Sequence, residues 1–275
     1  MPRLRSPDAP DNVRALTSRI GACWALVAVA LVLATPAEAS WRRYRVADPT
    51  ATLRRVNAVR RSFGARPLQL VRAWSDGCAR HIAYTRANAF GHAEVPGLPG
   101  YSASGALAGA TSVLFSPPGE PFATRLGAWA NEPYHQVEVL NPRLTRTGFS
   151  LGCMNTMRGI APLTASTRRS RLLAWPGDGA RGVPRALDAC DEVPHDPFTD
   201  VGWSCRRSGS ALYVDSPASH CTAAPAVRLT PAVPLQVLPY GPCTWIVLTG
   251  LPLPAAVQWE VRLAGATLRR SFTTS

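Results

Sequence analysis

Glu132 and His135 are candidates for metal chemistry because they lie three residues apart. On a helical turn this spacing places two side chains on one face. A carboxylate and an imidazole are ordinary ligands of Zn²⁺, and with a second imidazole they would leave a fourth position open to water. Pro133 lies between the two residues and argues against a regular helix there.

Two further ionisable residues have ordinary interpretations. His81 is one position away from the inward stripe of a predicted helix, so we expect a packing or rim residue. Glu94 could act as an acid near His92, but we expect an exposed loop carboxylate. The sequence contains no G-x-S-x-G, H-E-x-x-H, Walker or dinucleotide-binding motif. It therefore offers no candidate nucleophile, metal-binding motif or phosphate-binding loop typical of the common hydrolases and nucleotide-binding enzymes.

The N-terminus has the pattern of an export signal. Arg14 and Arg19 precede an uncharged apolar run over 20–34, and the small-residue site Ala37-Glu38-Ala39 follows it. A membrane-spanning helix needs about 20 apolar residues, which is more than this run supplies. The pattern predicts a signal peptide over 1–39 and secretion to the periplasm or the medium, with an uncleaved membrane anchor as the alternative.

Cleavage after Ala39 would remove one of the seven cysteines and leave six. An even number of cysteines in an oxidising compartment indicates disulfides, and the sequence alone does not choose their pairing. The chain contains no C-x-x-C, which removes support for zinc ribbons and thioredoxin-type redox chemistry. The remaining cysteines are Cys78, Cys153, Cys190, Cys205, Cys221 and Cys243.

All 30 basic residues are arginine, and the formal net charge is +13. An apolar fraction of 46% beside 17% charged residues is globular composition, which excludes a wholly disordered chain. A guanidinium group pairs bidentately with phosphate or carboxylate. The charge therefore predicts attraction to anionic polymers, membranes or nucleic acid.

Two helices are predicted near the start of the mature chain. Asp48-Pro49 supplies an N-cap and a first-turn proline, and Gly64 supplies a stop. Within this helix we expect its arginines, Arg60 among them, mostly to face water. A second helix follows Pro67, with Trp74, Cys78 and Ile82 on one inward stripe.

The C-terminal region is predicted to be rich in strands. Residues 257–263 alternate between apolar and polar side chains, which indicates a half-buried strand, whereas 244–248 are nearly all apolar and indicate a more fully buried one. Proline and glycine are frequent over 156–200, which favours a connector. A β-sandwich is the predicted tail architecture.

An ordered set of motifs over roughly 50–153 resembles the bacterial branch of the CAP superfamily, which includes cysteine-rich secretory proteins, antigen 5 and plant pathogenesis-related proteins. The most specific part is Trp129, five further residues, His135 and then Leu140-Asn141-Pro142. The other parts are Val56-Asn57-Ala58-Val59-Arg60, Gly64-Ala65-Arg66-Pro67-Leu68 and Phe90-Gly91-His92. The end of the tail, Val261 to Thr274, resembles fibronectin-like or immunoglobulin-like modules.

The CAP resemblance implies an α+β fold, a three-layer α/β/α sandwich whose cleft can gather two histidines and two acids around a divalent cation. By position the histidines are His92 and His135, and Glu132 stands where some members carry one acid. The other acid has no counterpart, because 105–112 contain no carboxylate. We therefore expect zinc to bind weakly or not at all, with no cofactor required and no catalytic residue assigned.

These observations together predict a noncatalytic extracellular or envelope binding protein that uses a His-lined cleft or its arginine-rich surface. Its partner would be an anionic or apolar envelope ligand, not a specific nucleic acid. A metal-dependent hydrolase acting in the cell envelope is the alternative, which the missing acid disfavours. Two cysteines lie in the CAP-like region and four lie beyond it, so we expect a Cys78–Cys153 disulfide and the other four cysteines paired among themselves. The expected parts are a signal peptide (1–39), a CAP-like domain (45–155), a connector (156–200) and an Ig-like or fibronectin-like domain (201–275).

Overall fold

A computed structural model describes most of the chain beyond the predicted signal peptide. The chain divides into two units, Met1–Arg43 and Tyr44–Ser275, and the first is described only at its last four residues. The signal peptide predicted over 1–39 therefore lies outside the described residues. No helix within the described ranges is long and apolar enough to cross a membrane. Those ranges are 40–115, 132–161, 172–187, 190, 196–204, 209–216, 223–241 and 243–275.

The first long helix is confirmed at both ends. The Oδ1 atom of Asp48 accepts a hydrogen bond from the backbone of Ala51 at 2.8 Å, and Pro49 occupies the first turn. Gly64 ends the helix with a φ of 89°, a left-handed conformation that favours glycine. The described helices are α1 (Pro49–Phe63), α2 (Arg72–Ala87), α3 (Ala103–Gly109), α4 (Pro133–Leu140) and α5 (Pro197–Asp200), with a 3-10 helix at Trp41–Tyr44.

Mixed helix and sheet describe the fold, as expected for an α+β chain. The N-terminal strands are β1 (Gln69–Leu70), β2 (Ser112–Leu114), β3 (Arg146–Thr147), β4 (Phe149–Ser150) and β5 (Cys153–Asn155). The later strands are β6 (Leu173–Trp175), β7 (Ala180–Val183), β8 (Ala211–Asp215), β9 (Ala226–Thr230), β10 (Leu235–Gly241), β11 (Thr244–Thr249), β12 (Ala256–Leu263) and β13 (Ala266–Thr274). They form a β1–β3 pair, a β2–β5–β4 sheet, a β10–β11–β8–β6 sheet and a β7–β13–β12–β9 sheet.

The two four-stranded sheets share one hydrophobic core. The alternation predicted for β12 is confirmed, since Trp259 and Val261 are buried while Gln258 and Arg262 are exposed. Five of the six residues of β11 are buried, as its apolar run predicted. Side chains from the inner faces of both sheets therefore contact one another, which is the packing of a sandwich. The range predicted as a connector contributes β6 to one sheet and β7 to the other.

Helices α1 and α4 contribute to two cores at once. Phe63 and Leu140 belong to the core shared with the four-stranded sheets. Val56 and Val139 belong to a second core, which includes residues of β2, β4 and β5. The ring of Phe63 lies 5.0 Å from that of Tyr213 on β8, centroid to centroid. The two helices consequently join the N-terminal part of the unit to its C-terminal strands.

Arg60 corrects the expectation that the arginines of α1 face water. Its side chain is fully buried, and its guanidinium group donates hydrogen bonds to one backbone carbonyl just after α1 and to three at the end of α4 and just beyond it. The acceptors are the carbonyl oxygens of Arg66, Val139, Asn141 and Leu144, at 2.6 to 3.1 Å. The last carbonyls of a helix have no partner within it, and a cation there is also favoured by the helix dipole. These carbonyls explain why a charge is buried at this position.

The predicted Cys78–Cys153 disulfide is confirmed and connects α2 to β5. Both residues are fully buried, in agreement with the inward stripe predicted for α2. Cys190 and Cys243 are also disulfide-bonded. Cys205 and Cys221 lie outside the described residues. The expected pairing of the four later cysteines among themselves stays a prediction.

Candidate functional site

Glu132 and His135 meet at the beginning of α4. The Nδ1 atom of His135 lies 2.9 Å from Oε2 of Glu132, and both side chains are mostly buried. Glu132 is the N-cap residue and Pro133 is the first residue of the helix. The expectation that Pro133 interrupts a helix was wrong because proline is accepted at the first helical position, where the backbone N–H has no partner in any case.

His92 lies on the loop between α2 and α3, and its side chain is exposed. Its Nδ1 atom is 2.8 Å from the carbonyl oxygen of Gly109, the last residue of α3. A carbonyl only accepts, so Nδ1 carries the proton and, in the neutral ring, Nε2 keeps its lone pair. Nε2 is therefore the nitrogen of His92 that a ligand or cation would meet.

A three-ligand metal site is not found among the described residues. No group of three or more His, Cys, Asp or Glu side chains there lies close enough to hold an ion. His92, Glu132 and His135 are all described, so the arrangement pairs Glu132 with His135 without bringing the three residues into such a group. The weak zinc site stays a prediction for this trio.

His81 and Glu94 form a buried pair that the sequence analysis missed. Their side chains are both fully buried, with His81 Nδ1 3.0 Å from Glu94 Oε1. The second ring nitrogen of His81 lies 2.9 Å from the carbonyl oxygen of Gly91, and the second carboxylate oxygen accepts from the backbone of Ser102 at 3.0 Å. Of the two alternatives expected for His81, the packing residue is confirmed. The expectation of an exposed carboxylate was wrong, because the loop after α2 brings Glu94 back against this helix.

The pair uses both ring nitrogens of His81. Nε2 donates to the carbonyl oxygen of Gly91, which can only accept, and Nδ1 faces the carboxylate of Glu94. Helix α3 approaches closely because it has glycines where it faces the pair. A Cβ at Gly105 would collide with Glu94, and one at Gly109 would collide with the His81 ring. The pair therefore fixes the α2–α3 loop and has no opening suited to a substrate.

The same loop and α3 expose large apolar side chains. The loop is held to α2 by the Tyr84 hydroxyl, which accepts from Val95 N at 2.9 Å, and by the Asn88 side chain, which donates to Pro99 O at 3.0 Å. Five residues of this segment are exposed by between 39% and 54%, although the loop around them is tightly bonded. They are Phe90, Val95, Leu98, Tyr101 and Leu107.

The outer surface of the β7–β13–β12–β9 sheet carries a charged groove of about 540 Å³. We call the residues at its centre the arginine face: Arg228, Glu260, Arg262 and Arg269. In the sheet register Glu260 on β12 lies directly between Arg228 on β9 and Arg269 on β13. Two guanidinium groups thus bond one carboxylate on the solvent side of the sheet, and Arg228 lines the same groove from the neighbouring strand.

Glu260 orients two of these arginines. Its Oε1 accepts from Nε of Arg262 at 2.5 Å, and its Oε2 accepts from Nε of Arg269 at 2.6 Å. The hydrogen bonds from Arg269 and then Arg262 hold the pKa of Glu260 below its usual range. At the rim of the groove, the backbone and hydroxyl of Ser271 donate to Asp178 and lower its pKa in the same way. Both carboxylates are therefore ionised at neutral pH.

Comparisons with protein-family models, with curated proteins and with solved structures found no match for this chain.

Proposed function

We propose that this chain is a secreted, noncatalytic, CAP-like binding protein that holds an anionic envelope ligand on the arginine face of its C-terminal sandwich. The observation that carries the proposal is the open groove lined by Arg228, Arg262 and Arg269, two of which are bonded to Glu260. The CAP assignment rests on the motif order of the N-terminal half. The sandwich packing of the tail is compatible with an Ig-like or fibronectin-like module.

Ligand binding at the arginine face is supported by the atoms that its ion pairs use. Arg262 and Arg269 each bond Glu260 through Nε. Within the described part of the chain, their terminal Nη groups have no other hydrogen-bond partner. Those groups are the fork that matches a carboxylate, sulfate or phosphate. Glu260 therefore fixes the guanidinium planes while it leaves their ligand-binding edges to solvent.

The charge balance also supports an anionic ligand. Three arginines and one glutamate leave a local excess of two positive charges at the centre of the groove. The side chains of Arg262 and Arg269 are 60% and 76% exposed, so a polymer can reach them without a change in the fold. Such a surface attracts polyanions over distances of about 10 Å at 0.1 M salt.

Binding of dextran sulfate tests the site, with uncharged dextran as the matched ligand control. We expect Arg262→Gln combined with Arg269→Gln to weaken dextran sulfate binding at least about tenfold, because each loses a charge-assisted hydrogen-bonding fork. Arg55→Gln combined with Arg86→Gln removes the same two charges from exposed residues of α1 and α2 and should have a small effect. Equal losses in this control and in the arginine-face variant would show that net charge alone binds the polymer.

Secretion is tested separately. Export with cleavage after Ala39 predicts that the mature protein begins at Ser40, which N-terminal sequencing or intact-mass measurement checks. A mature protein that retains the apolar run would favour the uncleaved anchor and remove the support for an extracellular ligand.

A further inference from the structure

The ring of Trp74 on α2 lies close to two arginines, Arg146 and Arg158, that are not part of the arginine face. The Cζ atom of Arg158 is 4.6 Å from the centroid of the Trp74 ring, and that of Arg146 is 5.4 Å from it. Both distances are within the range of cation–π contacts. They also limit the separation of the two guanidinium carbons to about 10 Å.

The backbone fixes all three residues. Arg146 begins β3, which pairs in parallel with β1 just before α2. The backbone N–H and hydroxyl of Thr145 donate to the carbonyl of Gly159 at 2.9 and 3.0 Å, which holds the segment carrying Arg158 against β3. A Cβ at Gly159 would collide with the carbonyl of Arg146, so only glycine permits this approach. The two arginines consequently reach Trp74 from segments that are locked together.

These guanidinium groups are not neutralised. Neither Arg146 nor Arg158 forms an ion pair or side-chain hydrogen bond with any residue in the described ranges, and both side chains are exposed. Stacking on an indole orders an arginine while its N–H edges still point outward around the ring plane. Two oriented guanidinium groups without an ion-pair partner among the described residues form a preorganised anion site on one aromatic ring, because the entropy of ordering them has been lost before a ligand binds.

The geometry points to a binding site for a phosphate group at Trp74, Arg146 and Arg158. An oligophosphate carries acceptor oxygens on successive phosphorus centres and can accept from both guanidinium groups at once. A carboxylate has two oxygens and fills one fork. The site is separate from the arginine face, where Glu260 already occupies an Nε of two of its arginines.

Titration with inorganic tripolyphosphate by calorimetry tests this site on the full mature chain. The measurement uses the background Arg262→Gln/Arg269→Gln, so that the arginine face does not contribute. We expect Arg146→Gln and Arg158→Gln each to weaken binding about tenfold. Trp74→Leu keeps both charges and should weaken binding too, since the forks lose their common support. Arg55→Gln, an exposed residue of α1, should leave the affinity unchanged.

Two results would overturn the proposal. One is an equal loss in the Arg55, Arg146 and Arg158 variants, which would mean that net charge attracts the probe. The other is citrate binding as tightly as tripolyphosphate, which would contradict phosphate recognition. Vesicles of phosphatidic acid in phosphatidylcholine identify the source of the phosphate. Loss of vesicle binding in the Arg146 and Arg158 variants assigns a lipid headgroup, and loss of tripolyphosphate binding alone assigns a soluble phosphate.

Discussion

Replacing Arg60 by alanine should destabilise the protein more than any other single arginine substitution on α1. The side chain is fully buried and donates to four carbonyl oxygens, two of which belong to Val139 and Asn141 at the end of α4. Alanine supplies none of these donors. The carbonyl of Asn141 keeps the backbone N–H of Leu144 at 3.0 Å, but those of Arg66, Val139 and Leu144 would lose their donor, and a cavity of arginine size would open between α1 and α4.

The magnitude follows from the number of carbonyls. A buried acceptor left without a donor costs about 1–3 kcal/mol. Even at the lower limit, the three carbonyls left without a donor give about 3 kcal/mol, which is at the upper end for one substitution. Arg60→Lys should lose about half of this, because an ammonium keeps the charge but cannot reach four acceptors in the plane of a guanidinium. The neighbouring Arg61 is exposed, and Arg61→Ala should change stability by less than about 0.5 kcal/mol.

Urea unfolding followed by far-UV circular dichroism, with the disulfides intact, measures these differences. The reasoning requires the order Arg61→Ala, Arg60→Lys, Arg60→Ala in increasing loss of unfolding free energy. An Arg60→Ala protein within about 1 kcal/mol of the Arg61→Ala protein would refute it, since water or other donors would then satisfy the carbonyls.

Three further expectations concern the loop pair, a buried phenol and the cation site. Gly109→Ala should lower the melting temperature by several degrees, because its Cβ would meet a buried histidine ring, whereas Gly91→Ala, with nothing within 4 Å of the added Cβ, should not. Burial raises the pKa of Tyr213 well above 10.0, so this phenol ionises in the unfolded chain at a lower pH than in the folded protein. The free energy of unfolding should therefore decrease as the pH rises past about 10. Tyr213→Phe should make this decrease smaller in unfolding experiments between about pH 9 and 11. Zinc titration should reveal no tightly bound stoichiometric ion, and the double change His92→Ala/His135→Ala should leave binding of the anionic ligand intact. Tight zinc binding that either single change abolishes would favour the metal-dependent hydrolase.

Local signals predicted local structure well. The caps of α1 are short-range features, so Asp48 and Gly64 set its ends without help from the rest of the fold. The alternation in β12 depends on one buried face, which the sequence pattern expresses directly. Cys78 was placed on an inward stripe by its helical spacing, and its disulfide follows from that position together with the family resemblance.

The buried charges could not be predicted because their partners are distant in the sequence. Arg60 bonds to the carbonyl of Val139, 79 residues later, and backbone acceptors leave no mark in the amino-acid pattern. Glu94 returns to His81 across a loop whose composition is ordinary for a surface. The rule that charged side chains lie on the protein surface fails where the fold supplies hydrogen-bond partners for them in the interior. The strands β6 and β7 were missed for a related reason, since proline and glycine around them indicate loops while their pairing partners lie much later in the chain.

The division of α1 between two cores has a consequence for the order in which the chain can fold. Synthesis completes α1 early, but Phe63 packs against Tyr213, and the core around it also needs β11, which ends at Thr249. Until those strands have been made, Phe63 at the end of α1 lacks its permanent partners, although Val56 can already pack against β2, β4 and β5. The nascent chain must therefore keep Phe63 from aggregating through most of its translation, a task that usually falls to a holding chaperone.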